Sequence, residues 1–298
     1  MITLREALKS ESFALTAKLS MARGQNAHDV IDEARLLAKS VDAIQIPDSA
    51  LARPHISSIA AAALLIREGI DPVIHMNCRD RNRVAIQSDL LGAQALGVSN
   101  VLLMRGSSLP PDHLPRTSNV YDLSAIDFIR TAAAIRDDEA LAGGKLPDGP
   151  ELHIGAVATA FRPVEDWEPE KLLAKADAGA QFIQLQICMN VDAIRDYAAR
   201  LVAAKLTWRF QVLAGVAVFP SMEAARELKK YRPDAAVPRE VYDRLENSKD
   251  PQQEGINIAA EILAELQKIP GVAGANLMTS GDPELIIEAI RSSGVRGG

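Results

Sequence analysis

The strongest constraint on the fold is an alternation. Short apolar runs of strand length follow one another along the chain, each separated from the next by an amphipathic, Ala/Leu-rich stretch. The runs are Phe13–Leu19, Val41–Pro47, Pro72–Cys78, Asn100–Gly106, His153–Ala160, Phe182–Cys188, Phe210–Val218 and Gly274–Thr279. Helical patterns over His28–Ser40, Ser57–Glu68, Arg83–Leu96, Asp122–Arg136, Glu168–Ala178, Val191–Ala203, Ser221–Lys230 and Pro283–Ser293 complete eight β-then-α units. Gly69, Gly97 and Gly179 each follow an apolar helical stretch, where a left-handed C-cap is expected. Parallel strands need crossover helices, so the alternation demands a parallel sheet. Eight units without a GxGxxG turn after the first strand favour a closed (β/α)8 TIM barrel over an open doubly wound sheet. One barrel domain over residues 1–298 is expected, with a short N-terminal extension over 1–11. A helical elaboration over 238–269 falls between the seventh and eighth units, and the Gly/Pro-rich stretch Asp137–Pro150 is expected to be a loop.

Bulk properties exclude several functions. A net charge of −6 argues against nucleic acid, whose phosphates want a basic face. No apolar run reaches transmembrane length, so no membrane partner is expected. The stretch MITLREALKSES has charges and no apolar core, so it does not resemble a secretory leader and a cytoplasmic location is expected. Cys78 and Cys188 lie far apart without metal-ligand spacing, and no metal is expected. A homo-oligomer is compatible with the sequence.

In a barrel, chemistry gathers at the C-terminal ends of the strands. Those positions hold Lys18, Asp48, the run His75–Asn82 (HMNCRDRN), the run Met104–Ser108 (MRGSS), Thr159, Arg162, Gln184, Gln186, Thr279 and Ser280. Polar groups on strands buried on both faces need partners, either one another or a ligand. The number of strand ends involved favours a ligand, and HMNCRDRN reads as a ligand-facing turn.

These residues resemble a known family. VIHMNCRDRNRVAIQSDLLGAQALGVSNVLLMRGSS (Val73–Ser108) resembles the third and fourth βα units of methylenetetrahydrofolate reductases. KADAGAQFIQLQICMN (Lys175–Asn190) and LAGVAVFPS (Leu213–Ser221) are similar to two further segments of that family. The resemblance implies FAD at the barrel mouth, relaying a hydride between NAD(P)H and folate. By position it places His75, Met104, Arg105, Gly106, Ser107, Tyr121, Ala156, Ala158, Arg162, Glu168, Lys171 and Lys175 around the flavin. Arg105, Arg162 and Lys175 would neutralise its pyrophosphate. Gln186, Met222 and Thr279 fall at the folate, with Lys18 and Gln186 nearest the chemistry.

Departures from the family pattern concern charge. Lys18 stands where the family has a strand-one carboxylate, Ser107 replaces the Asp of LRGD, and AVATAFRP (Ala156–Pro163) lacks the usual tyrosine. The basic residue expected near the last strand is missing, with Asp282 close to its place. A unit charge about 6 Å away at an effective dielectric of about 20 is worth roughly 3 kcal/mol. That shifts a two-electron potential by tens of millivolts. A more positive site makes the flavin a better hydride acceptor, so oxidation of 5-methyltetrahydrofolate to 5,10-methylenetetrahydrofolate is the favoured direction. Such an activity would suit coupling to folate-dependent demethylases. The alternatives are an ordinary NAD(P)H-dependent reductase, a flavin-independent variant using nicotinamide directly, and a non-redox folate-binding protein.

Overall fold

The computed structural model describes residues 3–10, 12–49, 53–109, 116–137 and 150–296. Asp137–Pro150, expected to be a loop, lies outside the described residues except at its two ends. Eight parallel strands close into a barrel in sequence order: β1 (Ala14–Lys18), β2 (Ala43–Ile46), β3 (Pro72–Asn77), β4 (Asn100–Met104), β5 (His153–Ala158), β6 (Phe182–Ile187), β7 (Gln211–Val218) and β8 (Gly274–Thr279). Closure is made by β1 on β8, in register from Ala14↔Gly274 to Ala17↔Leu277. The register shifts in β6 between Gln184 and Ile187.

The helices are α1 (Leu4–Lys9), α2 (Ala27–Leu37), α3 (Ser58–Arg67), α4 (Arg83–Ala95), α5 (Ala125–Arg136), α6 (Glu170–Asp177), α7 (Val191–Ala203), α8 (Met222–Tyr231), α9 (Arg239–Asn247), α10 (Pro251–Leu266) and α11 (Glu284–Ser293). Asn26, Ser57, Asn82, Ser124, Asn190 and Ser221 each end a strand-to-helix loop by accepting backbone N–H bonds from the first turn. Those caps point the positive ends of the helices toward the mouth. The elaboration after the seventh unit is α9 and α10, joined where Arg244 pairs with Glu254 and Glu261. Gly255 in α10 is forced by packing, since a Cβ there would lie 1.8 Å from the Phe219 carbonyl oxygen. Among the described residues no helix is long and apolar enough to cross a membrane.

Two cores result from the strand alternation. Outward-facing residues such as Ile44, Ile74, Val101 and Ile183 pack with the helices, while Ala14, Ala43, Val73, Leu102, Phe182 and Leu213 fill the barrel. Phe182 occupies the interior because Gly155 leaves room: a Cβ on Gly155 would sit 2.1 Å from its ring. Helix α1 closes the floor with Leu4, Ala7 and Leu8. The Leu4 amide donates to Asp71, which also accepts from Asn100, and Asn100 meets His153. Helix α1 thus covers the floor, at the end opposite the C-terminal ends of the strands.

Candidate active site at the barrel mouth

Above the apolar floor the barrel carries a polar layer. Thr16 donates to Asn276 Oδ1 at 3.0 Å, and Gln45 Nε2 donates to Thr16 Oγ1 and to Gln184 Oε1. With its amide nitrogen spent, Gln45 offers Oε1 to His75 Nε2 at 2.9 Å, so that ring nitrogen carries the proton. Burial, reinforced by the cations Lys18 and Arg232, drives the His75 pKa down to about 3. His75 is thus a neutral donor. Asn276, fully buried, keeps Nδ2 as a donor with no partner among the described residues.

The next layer is the mouth itself. Lys18 ends β1, half-buried, and Arg232 follows α8 with a guanidinium 3.5 Å from Gln186 Oε1 on β6. Neither cation has a carboxylate partner among the described residues. Burial first, then repulsion from Arg232, lowers the Lys18 pKa to about 8, within reach of proton transfer near neutrality. Arg232 is the residue that the sequence reading missed. It lies in KKYRPDAAVP, outside any strand or helix period. The fold brings it in because residues 233–236 return along β6, with Ala236 bonded to Ile187 and Met189. The Lys229 ammonium clamps the bend by donating to the carbonyls of Pro233 and Ala235 at 2.8 Å. A basic residue thus reaches the site from the β7 side, where none was expected near the last strand.

The β3–β4 side differs from its sequence reading. The CRDRN turn is largely spent on itself: Asp48 accepts from Asn77 and Arg81, Arg81 also binds Asp89, and buried Arg79 binds Asp80 and the Ser49 carbonyl. This turn supports the wall behind it. Gly106 has φ +80°, and a Cβ there would press on Asn77 and Arg79 at 3.1–3.2 Å. Tyr121 donates to the Gly106 carbonyl at 3.1 Å, and the Arg105 guanidinium lies 4.1 Å from its ring centroid. Met104 is half-buried and Ser107 exposed, so Met104, Arg105, Gly106, Ser107 and Tyr121 form one wall.

The β5 side is dispersed. Ala156 faces the outer core, and Ala158 packs at its edge. Lys175, half-buried on α6, donates to the Val157 carbonyl at 2.5 Å. Arg162 pairs with Asp196 at 2.9 Å on the surface, and Glu168 and Lys171 are exposed. Met222 opens α8, half-buried against the core, and Thr279 ends β8, where its hydroxyl accepts from the Gly281 amide at 3.0 Å. Geometry therefore unites Lys18, Gln186 and His75 with Arg232 on one side, and the β4 wall on the other.

The family model of methylenetetrahydrofolate reductase matches residues 3–294. The chain belongs to that family. A probable methylenetetrahydrofolate reductase (NADPH) of Caenorhabditis elegans is 24% identical over 192 residues, which are 64% of this chain and 26% of that protein. The chain therefore spans about a quarter of the length that relative has. Among solved structures, an uncharacterized Clostridium thermocellum protein, described as binding two copies of 5-methyl-5,6,7,8-tetrahydrofolic acid, superposes with TM-score 0.69 at 15% identity, covering 97% of this chain and 96% of that one. A 2,3-dimethylmalate lyase superposes with TM-score 0.51 at 13% identity, covering 93% and 81%. At those identities the two structures establish the barrel alone.

Proposed function

We propose that this chain is an oxidoreductase interconverting 5-methyltetrahydrofolate and 5,10-methylenetetrahydrofolate, working preferentially toward oxidation of the methyl form. One observation carries the reading: at the barrel mouth a half-buried lysine of lowered pKa stands near the Arg232–Gln186 contact, with no carboxylate partner among the described residues. Family membership and the methyl-folate bound by the Clostridium protein support the substrate class.

Oxidation removes a hydride from the N5-methyl carbon and a proton from N10, and a bond forms between that carbon and N10. The neutral Lys18 amine takes the N10 proton. Only the neutral form of Lys18 can accept that proton. The Gln186 carboxamide, held through Oε1 by Arg232, presents its N–H donors to the pterin edge. His75 stays neutral and anchors Gln45 beneath them.

The family implies a flavin, and the donor set fits it in part. Arg105 and Arg162, both exposed, would hold the pyrophosphate, and the Gly106–Ser107 backbone would meet the ring edge. The side chains of Lys175 and Ala156 do not contribute, since one is committed to Val157 and the other to the outer core. A bound flavin would supply a two-electron relay between folate and the nicotinamide. A second reading, direct hydride transfer between nicotinamide and folate, is favoured by that commitment of Lys175 and by the Arg162–Asp196 pair. Anaerobic mixing of the pure protein with 5-methyltetrahydrofolate tests the proposal. Bleaching of bound flavin with formation of 5,10-methylenetetrahydrofolate supports it. A colourless protein that forms the same product only with NAD(P)+ selects the second reading, and no product under either condition refutes both.

A further inference from the structure

The polar layer beneath the mouth is a directed chain of hydrogen bonds. His75 Nε2 donates to Gln45 Oε1 at 2.9 Å, Gln45 Nε2 donates to Thr16 Oγ1 at 3.0 Å, and the Thr16 hydroxyl donates to Asn276 Oδ1 at 3.0 Å. The chain runs from β3 through β2 and β1 to β8, crossing the seam where the barrel closes at the register pair Thr16↔Asn276. All four side chains are buried. Each link joins one donor to one acceptor, so the direction of one fixes that of the next. If the Thr16 hydroxyl donated to Gln45 instead, the amide would turn over and Nε2 would face the imidazole in place of Oε1. His75 would then accept at Nε2 and carry its proton on Nδ1. The tautomer is therefore settled at the far end, by the atom that Asn276 presents to Thr16. Asn276 presents Oδ1, although this leaves its Nδ2 sealed and without a partner among the described residues. A buried donor left unpaired is rare, so polarity rather than saturation is what this end of the chain supplies.

The other end of the chain meets the site. His75 Nδ1 has no partner among the described residues, and unlike Asn276 Nδ2 it is not sealed from solvent. The mouth cations Lys18 and Arg232 act directly on the ring and, after burial, help to keep it neutral, so its two nitrogens stay one donor and one acceptor. We propose that Asn276, acting through Thr16 and Gln45, is a positioning residue that holds His75 Nδ1 as an acceptor facing the mouth, and that this acceptor selects a heterocycle presenting a ring N–H. The ligand half of the proposal rests on the folate reading above, since pterin and isoalloxazine rings both carry such an N–H beside a carbonyl.

Nitrogen NMR of the intact, ligand-free protein, isotopically labelled at histidine, reads the tautomer, with the His75 signals assigned by their loss in His75→Gln. In the unaltered protein Nε2 carries the proton. Asn276→Leu, close in shape but unable to accept, releases the Thr16 hydroxyl to donate to Gln45, and the proton moves to Nδ1. Thr16→Ser, which keeps the hydroxyl, leaves it on Nε2. Calorimetry with 5-methyltetrahydrofolate and with FAD then shows whether the acceptor is used: Asn276→Leu weakens binding of the ring that lies over His75 about three- to tenfold, the worth of one hydrogen bond. A proton on Nδ1 in the unaltered protein, or one still on Nε2 in Asn276→Leu, overturns the proposal. So do unchanged affinities for both rings once the tautomer has moved. If the unaltered protein binds neither ring, the selection of a ring N–H falls together with the folate reading, whereas the tautomer measurement still decides the role of Asn276.

Discussion

Lys18 shows how one side chain takes its chemistry from its surroundings. An ordinary lysine is almost fully charged at neutral pH, but desolvation and the neighbouring Arg232 bring this one to about 8. A lowered pKa favours the neutral form, so the free base gains population as pH rises through about 8. The rate of methyl-folate oxidation is therefore expected to increase across that range, and the rate of the reverse reduction, which needs the ammonium as acid, to decline. Initial rates in both directions from about pH 6.5 to about 9.5, bracketing that value, check this, and parallel profiles would remove Lys18 from proton transfer. Lys18→Met should lower the turnover number about 10²–10⁴-fold with substrate affinity less affected. Gln186→Ala should instead weaken folate binding about tenfold, the worth of one or two hydrogen bonds, as seen in equilibrium titration. Lys18 and Gln186 were legible in the sequence because they end strands. Arg232 was not, because its position depends on a bend held by the β6 edge and by the Lys229 ammonium.

Among the elements, α1 is the least expected in its task. The sequence reading gives residues 1–11 as a short N-terminal extension, and the place of α1 on the barrel floor, at the end away from the chemistry, comes from packing. Thr3 and Glu6 form a capping box that stabilises only six residues, so the helix depends on burial of Leu4 and Leu8. Leu8→Ala is expected to cost about 2–5 kcal/mol, measured by urea unfolding, without altering the titration behaviour of the mouth. Gly155→Ala tests the inner core: its methyl would collide with Phe182, and overpacking of this kind costs about 1–3 kcal/mol or more. Coupling it with Phe182→Leu should restore part of the loss. Helix boundaries also follow local chemistry. The fourth helical pattern starts at Asp122, whereas α5 starts at Ala125, because Asp122 accepts from the Arg83 amide and Ser124 provides the cap.

Across the whole molecule, burial of titratable groups links the fold to pH. His75 and His153 both have pKa values lowered to about 3, chiefly by desolvation. Each therefore contributes stability that is complete above the unfolded value near 6.5 and is lost as pH falls toward 3. Asp71, raised by burial to about 6, acts oppositely, and its contribution is lost as pH rises through that value. With two histidines against one carboxyl, the melting temperature should drop steeply between about pH 6 and about pH 4 on thermal scans. A flat profile there would contradict the buried, neutral state of the histidines. The molecule also separates its charges: the chain is acidic overall, yet Lys18 and Arg232, without a carboxylate partner among the described residues, meet at the mouth.

The linear order of residues determined the eight units, their parallel sense and most strand limits, since period, Gly stops and crossover geometry are local properties written into neighbouring residues. It also determined the family, through segments that keep their spacing. Tertiary structure decided which polar groups are spent and which are free. The Arg-Asp-Arg-Asn turn looked available and proves saturated by Asp48 and Asp89, while Arg232, which no sequence pattern marked, enters the site. The reason is physical: whether a charge is free depends on partners brought from distant strands, and barrel closure alone sets those distances.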